Sequence, residues 1–150
     1  MTTIRQEDFV TSIAGAFQYI SVYHPIDFIR AMAEAHALEQ SPAAKDAIAQ
    51  ILANSRLCAE GKRPICQDTG IAVVFLKIGM EIKWDTQLSL QEMVDEGVRR
   101  AYTDPHNPLR ASVLRDPAGT RLNSGDNTPA VVHVEMIAGD KVEEIGRAHV

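Results

Sequence analysis

Between positions 63 and 70 the chain reads Arg63-Pro64-Ile65-Cys66-Gln67-Asp68-Thr69-Gly70, setting a thiol, an amide, a carboxylate and a hydroxyl on consecutive residues. Loops held between rigid elements are where binding and catalytic groups concentrate. Three chemistries suit Cys66: a redox thiol, a nucleophile, or a metal ligand. All three use the thiolate, the form that a neighbouring cation such as Arg63 favours. Against them stands a plainer reading, a small buried hydrophobe followed by turn formers. Cys58 reads differently, because it falls at helical spacing from Ile51 and Ser55 and is expected in the core. Its separation from Cys66 suits neither a Cys-x-x-Cys redox pair nor a zinc half-site. The five histidines are scattered and form no cluster with either thiol.

A second tract, Leu122-Asn123-Ser124-Gly125-Asp126-Asn127-Thr128-Pro129, precedes an apolar run and by composition is a turn. It holds one glycine and no Gly-Lys-Ser/Thr, so it is not a phosphate-binding loop. Arg110, within Asn107-Pro108-Leu109-Arg110, has the planar fork that clamps a carboxylate bidentately, although most arginines are solvated surface residues. His106 reads as a surface residue in the same way. His133 alternates with Val132 and Val134 along a strand pattern and is expected to face outward.

The elements that must position these residues are legible in part. Phe9, Val10, Ile13, Phe17 and Ile20 recur at helical steps, and the pattern breaks at His24-Pro25, where Pro25 can open a second helix carrying Phe28, Ile29, Met32 and Ala33 on one side. Ser41-Pro42 is the start signal of a third helix, with Ile48, Ile51, Leu52 and Ser55 on its stripe and Gly61 expected to end it at positive φ. The run Ile71–Leu76 reads as a buried strand. Ser89 and Glu92 have capping-box spacing ahead of Met93, Val94, Val98 and Ala101. Ala130–Ile137 reads as a strand, with a turn at Ala138-Gly139-Asp140 and a return strand beginning at Lys141. The tract between them, Thr103–Asn127, is too long for an idle connection. Helices first and mixed strands afterwards favour an α+β fold.

Composition narrows the function classes. Fifteen Lys+Arg against 20 Asp+Glu give a net charge of −5, which argues against a nucleic-acid partner that needs phosphates neutralised. No apolar run reaches the length of a membrane span, and the opening residues lack the basic and apolar segments of an export signal. With two cysteines, a reducing, cytoplasmic setting is the expectation.

Taken together, the Arg63–Gly70 tract, Asn107-Pro108-Leu109-Arg110 and Asn123–Ala130 closely resemble the class I fumarate hydratases, which with the tartrate dehydratase α subunits make up the iron–sulfur hydro-lyases. The resemblance runs from about residue 3 to Glu143, and Ser124, where the family usually has Thr, is a mild departure. It implies a fold in which 1–143 is the N-terminal part of a larger α+β catalytic domain: a helical segment, then mixed strands and helices. It also implies a [4Fe–4S] cluster held by three cysteines, leaving one iron open as a Lewis acid. By motif match Cys66 is the first cluster ligand, Gln67 and Asp68 contact the dicarboxylate, Asp68 is the catalytic carboxylate, and Arg110 pairs with a substrate carboxylate; Asn127 and Thr128 fall near the site. The other two cluster cysteines belong to later family sequence.

The implied reaction is reversible hydration of fumarate to malate, by a cytoplasmic homodimer at full length. A tartrate dehydratase α subunit, or a non-catalytic scaffold or binding fragment, is the alternative. With one of three ligands, residues 1–150 alone are expected to be inactive, and Thr103–Asn127 to be exposed and weakly held. Residues 144–150, Glu-Ile-Gly-Arg-Ala-His-Val, match one reading frame of a sequencing adapter and are expected to be a non-native tail.

Overall fold

A computed structural model describes residues 2–66 and 70–146. The chain forms two compact units, one of Gln18–Gln67 and one of Met1–Phe17 with Asp68–Val150. Helices and mixed sheets together make the α+β fold the sequence predicts.

Helix α1, Gln6–Val22, begins in one unit and ends in the other, with Phe9, Val10, Ile13 and Phe17 buried along its stripe. In the Gln18–Gln67 unit, α2 (Ile26–Leu38) and α3 (Pro42–Gly61) make a helical hairpin. Pro25 is the residue just before α2 instead of its first, with ψ at 147°, an extended value that ends the preceding run. No residue of α2 is buried, so its expected apolar side of Phe28, Ile29, Met32 and Ala33 covers no core, and Leu38 is 77% exposed. Ser41 precedes α3 with Pro42 in the first helical turn, yet its hydroxyl caps nothing. The hairpin connection is instead held by Glu39, whose carboxylate accepts from the N–H groups of Gln40 and Ser41, each at 2.8 Å.

The end of α3 differs from expectation by one residue. Gly61 stays helical and Lys62 takes the left-handed conformation, φ 51° and ψ 47°. The reason is a contact distant in sequence: the Lys62 ammonium meets the Tyr23 hydroxyl and lies 4.7 Å from that ring's centre, a cation–π contact that offsets the strain.

In the other unit, strands β1 (Thr3–Arg5) and β3 (Lys83–Asp85) pair in parallel, an element the sequence pattern did not disclose. The larger sheet has β2 (Val73–Gly79) at its centre, β4 (Val131–Ile137) parallel on one side and β5 (Val142–Gly146) antiparallel on the other. The return strand after the turn therefore pairs with β2 and not with its sequence neighbour β4. Residues 144–146 of the expected tail form part of β5, while 147–150 lie outside the described residues. Strand β2 begins two residues later than the apolar run suggests and continues through Lys77, which bridges to Glu135 of β4 at 3.7 Å.

Val74, Leu76 and Ile78 of β2, Val10, Ile13 and Phe17 of α1, and Met93, Val94, Val98 and Ala101 of α4 (Leu90–Tyr102) are among this unit's buried side chains. The α4 cap forms as read: Glu92 N–H donates to the Ser89 hydroxyl at 3.3 Å and Ser89 N–H to the Glu92 carboxylate at 2.8 Å. Helices α1 and α4 approach closely at Gly97, where an added Cβ would lie 2.6 Å from the Ile13 side chain. Arg100 of α4 fastens the pair by a two-pronged contact with Glu7 of α1, at 2.5 and 3.1 Å.

Candidate functional site

Cys66 is exposed at the end of the Gln18–Gln67 unit, beyond Ile65, whose N–H bonds the Ser21 carbonyl at 2.8 Å. Cys58 is buried as predicted, its sulfur 3.7 Å from the Asn54 side-chain oxygen and 3.6 Å from the Pro64 carbonyl. Of the two thiols, only that of Cys66 is presented for chemistry. Gln67 and Asp68, the amide and carboxylate singled out beside it, lie outside the described residues, as does Thr69.

The other unit resumes at Gly70, which takes φ 59°, a value that favours glycine. Its carbonyl accepts a hydrogen bond from the side-chain amide of Asn127 at 3.1 Å. The oxygen of the same amide accepts from the backbone N–H of Ser112 at 2.7 Å and of Val113 at 3.1 Å. Asn127 is fully buried and sits at φ 61°, a left-handed conformation that asparagine tolerates better than most side chains. One amide thus joins a point two residues after Asp68 in the chain to a point two residues after Arg110. Arg110 itself is exposed, on the connection just before this anchor.

Around Asn127 the loop is built from its own polar groups. The Ser124 hydroxyl, buried, accepts from Asn127 N–H at 3.0 Å. Asp126 accepts from the N–H and hydroxyl of Thr128, at 3.1 and 2.8 Å, and from Arg99 of α4 at 3.1 Å. Partial burial would raise the Asp126 carboxyl, but the Thr128 and Arg99 donors outweigh it and hold the group below its ordinary range. Asp95 of α4 accepts from Ala130 N–H at 2.8 Å, and Gln91 donates to the Ala130 carbonyl at 3.0 Å. The polar side of α4 therefore grips the loop where it enters β4. Upstream, Asn123 donates to the Ala111 carbonyl at 2.8 Å, and Arg115 to the Ser124 carbonyl at 3.0 Å.

Thr103–Asn127 is exposed over most of its length, as expected, but it is not weakly held: Leu109, Ser124 and Asn127 are buried and the amide anchors its midpoint. Sequence reading set Asn127 and Thr128 near the site without a role. The available signal was an asparagine, tolerant of positive φ, inside a run of residues that could all make turns. His133 faces outward as predicted, stacked on Phe75 with centres 4.8 Å apart.

Among the described residues no three His, Cys, Asp or Glu side chains converge into a metal site. The exposed Cys66 thiol fits one ligand position of an iron–sulfur cluster, since such clusters bind thiolates, and the engaged, buried Cys58 does not. No described helix is long and apolar enough to cross a membrane.

Comparison with known proteins places these features in context. The family described as Fumarate hydratase (Fumerase) matches residues 10–145. The chain is 33% identical over 121 residues to "Putative L(+)-tartrate dehydratase subunit alpha" of Methanocaldococcus jannaschii, covering 79% of this chain and 42% of that protein. It is 31% identical over 106 residues to the anaerobic class I fumarate hydratase of Escherichia coli K12, covering 71% of this chain and 19% of that enzyme. Against the aerobic class I fumarate hydratase of Salmonella typhimurium the figures are 30% over 92 residues, with 61% and 15% covered. The chain thus spans well under half the length of the curated relatives it matches.

Proposed function

The chain belongs to the fumarate hydratase (fumerase) family, and we propose that it is the N-terminal part, residues 1–143, of a hydro-lyase that interconverts fumarate and malate in the manner of the class I enzymes. The observation that carries the reading is the Asn127 amide, which ties the chain after Asp68 to the chain after Arg110. Two segments far apart in sequence, one resuming at Gly70 and one following Arg110, are thereby joined, which supports a site that must grip a small dicarboxylate at both ends.

In this reading Cys66 is one ligand of a [4Fe–4S] cluster, and the other two cysteine ligands belong to later family sequence. When bound, such a cluster with one open iron supplies a Lewis acid toward a hydroxyl and a carboxylate. Arg110 pairs its planar guanidinium with one substrate carboxylate and sets the molecule's orientation. Gln67 donates its amide to the substrate. Asp68 accepts the proton from the carbon next to the second carboxylate in the malate-to-fumarate direction and returns it in the other. The whole protein is a cytoplasmic homodimer in this reading, with a net charge that suits no nucleic-acid partner, and residues 1–150 alone are inactive.

A second substrate, tartrate, is favoured by one observation: the match to the tartrate dehydratase subunit alpha covers more of this chain, at higher identity, than the fumarate hydratase matches do. The same hydroxyl-acid elimination serves both. The test is anaerobic reconstitution of the full gene product, assayed with fumarate, malate and tartrate. Cys66→Ser should abolish the cluster's absorbance and Cys58→Ser should preserve it; cluster retention in Cys66→Ser removes Cys66 as a ligand. Asp68→Asn should keep the absorbance and lower kcat by about 10²–10⁴-fold, the usual worth of a general acid–base. Wild-type kcat in that variant would leave Asp68 a turn residue. A reconstituted protein with no cluster would favour the scaffold fragment.

A further inference from the structure

Strand β4 lies at the edge of its sheet, yet it is built like an interior strand. A strand parallel to its neighbour is ordinarily covered on both faces, and the row on the core face shows where the cover stops. Leu76 and Ile78 of β2 are 1% and 5% exposed, while their register partners Val134 and Met136 are 45% and 58% exposed. The usual protections of an edge are missing: β4 has no lysine, no proline and no break in its register with β2 from Val131 to Ile137. Among the described residues no strand pairs with its outer edge.

The direction of the backbone groups decides what fits there. Val131 N–H donates to the Ala72 carbonyl and the Ile137 carbonyl accepts from Met80 N–H, so the odd-numbered residues turn their groups toward β2. Val132, Val134 and Met136 therefore turn theirs outward. A second β4, laid antiparallel with Val134 on a twofold axis, brings outward groups to outward groups along the whole strand. It sets Val134 against itself, Val132 against Met136, Val131 against Ile137, and His133 against Glu135 of the second copy. The Glu135 carboxylate, already 3.7 Å from Lys77, has a second oxygen for that contact. Moving the axis one residue either way opposes His133 to His133 or Glu135 to Glu135. One alignment alone matches apolar row, charge and backbone, which is the self-complementarity a twofold contact needs. We propose that β4 is the contact between two copies of this protein, joined edge to edge into one sheet ordered β5-β2-β4-β4-β2-β5. This names the surface of the homodimer in the proposed activity and rests on that reading for the number of copies.

The test is the sedimentation of the full gene product over a dilution series in reducing buffer. Wild type should form a dimer. Val134→Lys, which sets two ammonium groups against each other on the axis, should weaken it about a hundredfold or more, the order expected where like charges meet in an interface. His133→Glu should weaken it about tenfold. Adding Glu135→Lys to His133→Glu should restore it to within about threefold of wild type, because opposite charges face each other again. A loss of folding cannot produce that rescue, and it decides the matter if Val134→Lys does not fold. A monomeric wild type overturns the proposal. So does a dimer that His133→Glu weakens without rescue, or one that neither single variant weakens, since β4 is then covered by later sequence of its own chain. Assays with fumarate, malate and tartrate separate this from the activity. Protein that dimerises through β4 and turns over none of them overturns the activity alone, whereas turnover by a wild-type monomer overturns the β4 contact alone.

Discussion

The loop Thr103–Asn127 and the hairpin of α2 and α3 invert the usual association of regular structure with solidity. The hairpin has every internal backbone bond a helix supplies, yet α2 buries no residue and α3 buries only Ser55 and Cys58. The loop has little regular structure, yet its last residue is a fully buried asparagine satisfied on both sides of its amide. Helical hydrogen bonds are local, and most helical stability comes from packing an apolar face. A buried polar group that is fully paired ties together whatever supplies its partners. Order in this chain follows what is enclosed more than what is periodic.

The largest effect expected from this contrast is at the loop. In the 150-residue chain, Asn127→Ala orphans two backbone donors and one acceptor and should lower stability by about 3 kcal/mol in urea unfolding, since each unsatisfied buried group costs roughly 1–3 kcal/mol. A loss comparable to that of an exposed residue would mean that water reaches these groups.

A weaker effect, dependent on pH, is expected in the hairpin. His24 has its Nδ1 3.1 Å from the Ser55 hydroxyl and its ring 4.5 Å from that of Phe28, and burial lowers its pKa from 6.5. The neutral form is the one that folds well, so its contribution is complete above the unfolded value and is lost as pH falls through the folded one. The helical signal's Tm should therefore decline as pH falls below 6.5, and His24→Phe should flatten that decline. An identical pH profile in the variant would place the acid sensitivity elsewhere.

Smallest of all should be Leu38→Ala: at 77% exposure the side chain gains little from folding, and the change should stay within about 0.5 kcal/mol. A loss near 2 kcal/mol, measured at the same protein concentration, would show that α2 covers an apolar surface after all.

The same contrast explains what could be read from residue order. Helices α1 and α4 were legible because Val10, Ile13 and Phe17, and Val94, Val98 and Ala101, repeat at the helical period and are buried. The Ser89–Glu92 cap was legible because a capping box depends only on neighbours. Strands β1 and β3 were not: three residues hold no alternation, and Ile4 and Trp84 take meaning only when paired. The left-handed residue after α3 was misplaced by one because Lys62 answers to Tyr23, far away in sequence. In the candidate site, Cys66 and Arg110 were visible by chemical type and by family pattern. The task of Asn127 was hidden because Asn123, Asp126 and Asn127 are interchangeable as turn formers until burial separates them.

The placement of β2 at the centre of its sheet also bears on how the chain is made. Val73 finds its parallel partner only in Val131, and the strand's other neighbour, β5, which pairs with Phe75 to Ile78, begins at Val142. While the polypeptide emerges from the ribosome, Val73–Gly79 therefore waits with both edges unsatisfied until β3, α4 and the whole polar loop have followed it out. Such late, long-range pairing is slow and leaves an apolar strand open to other chains. A translation product that stalls between β2 and β4 would present that strand bare, and would be a substrate for chaperones before it could be a scaffold for a catalyst.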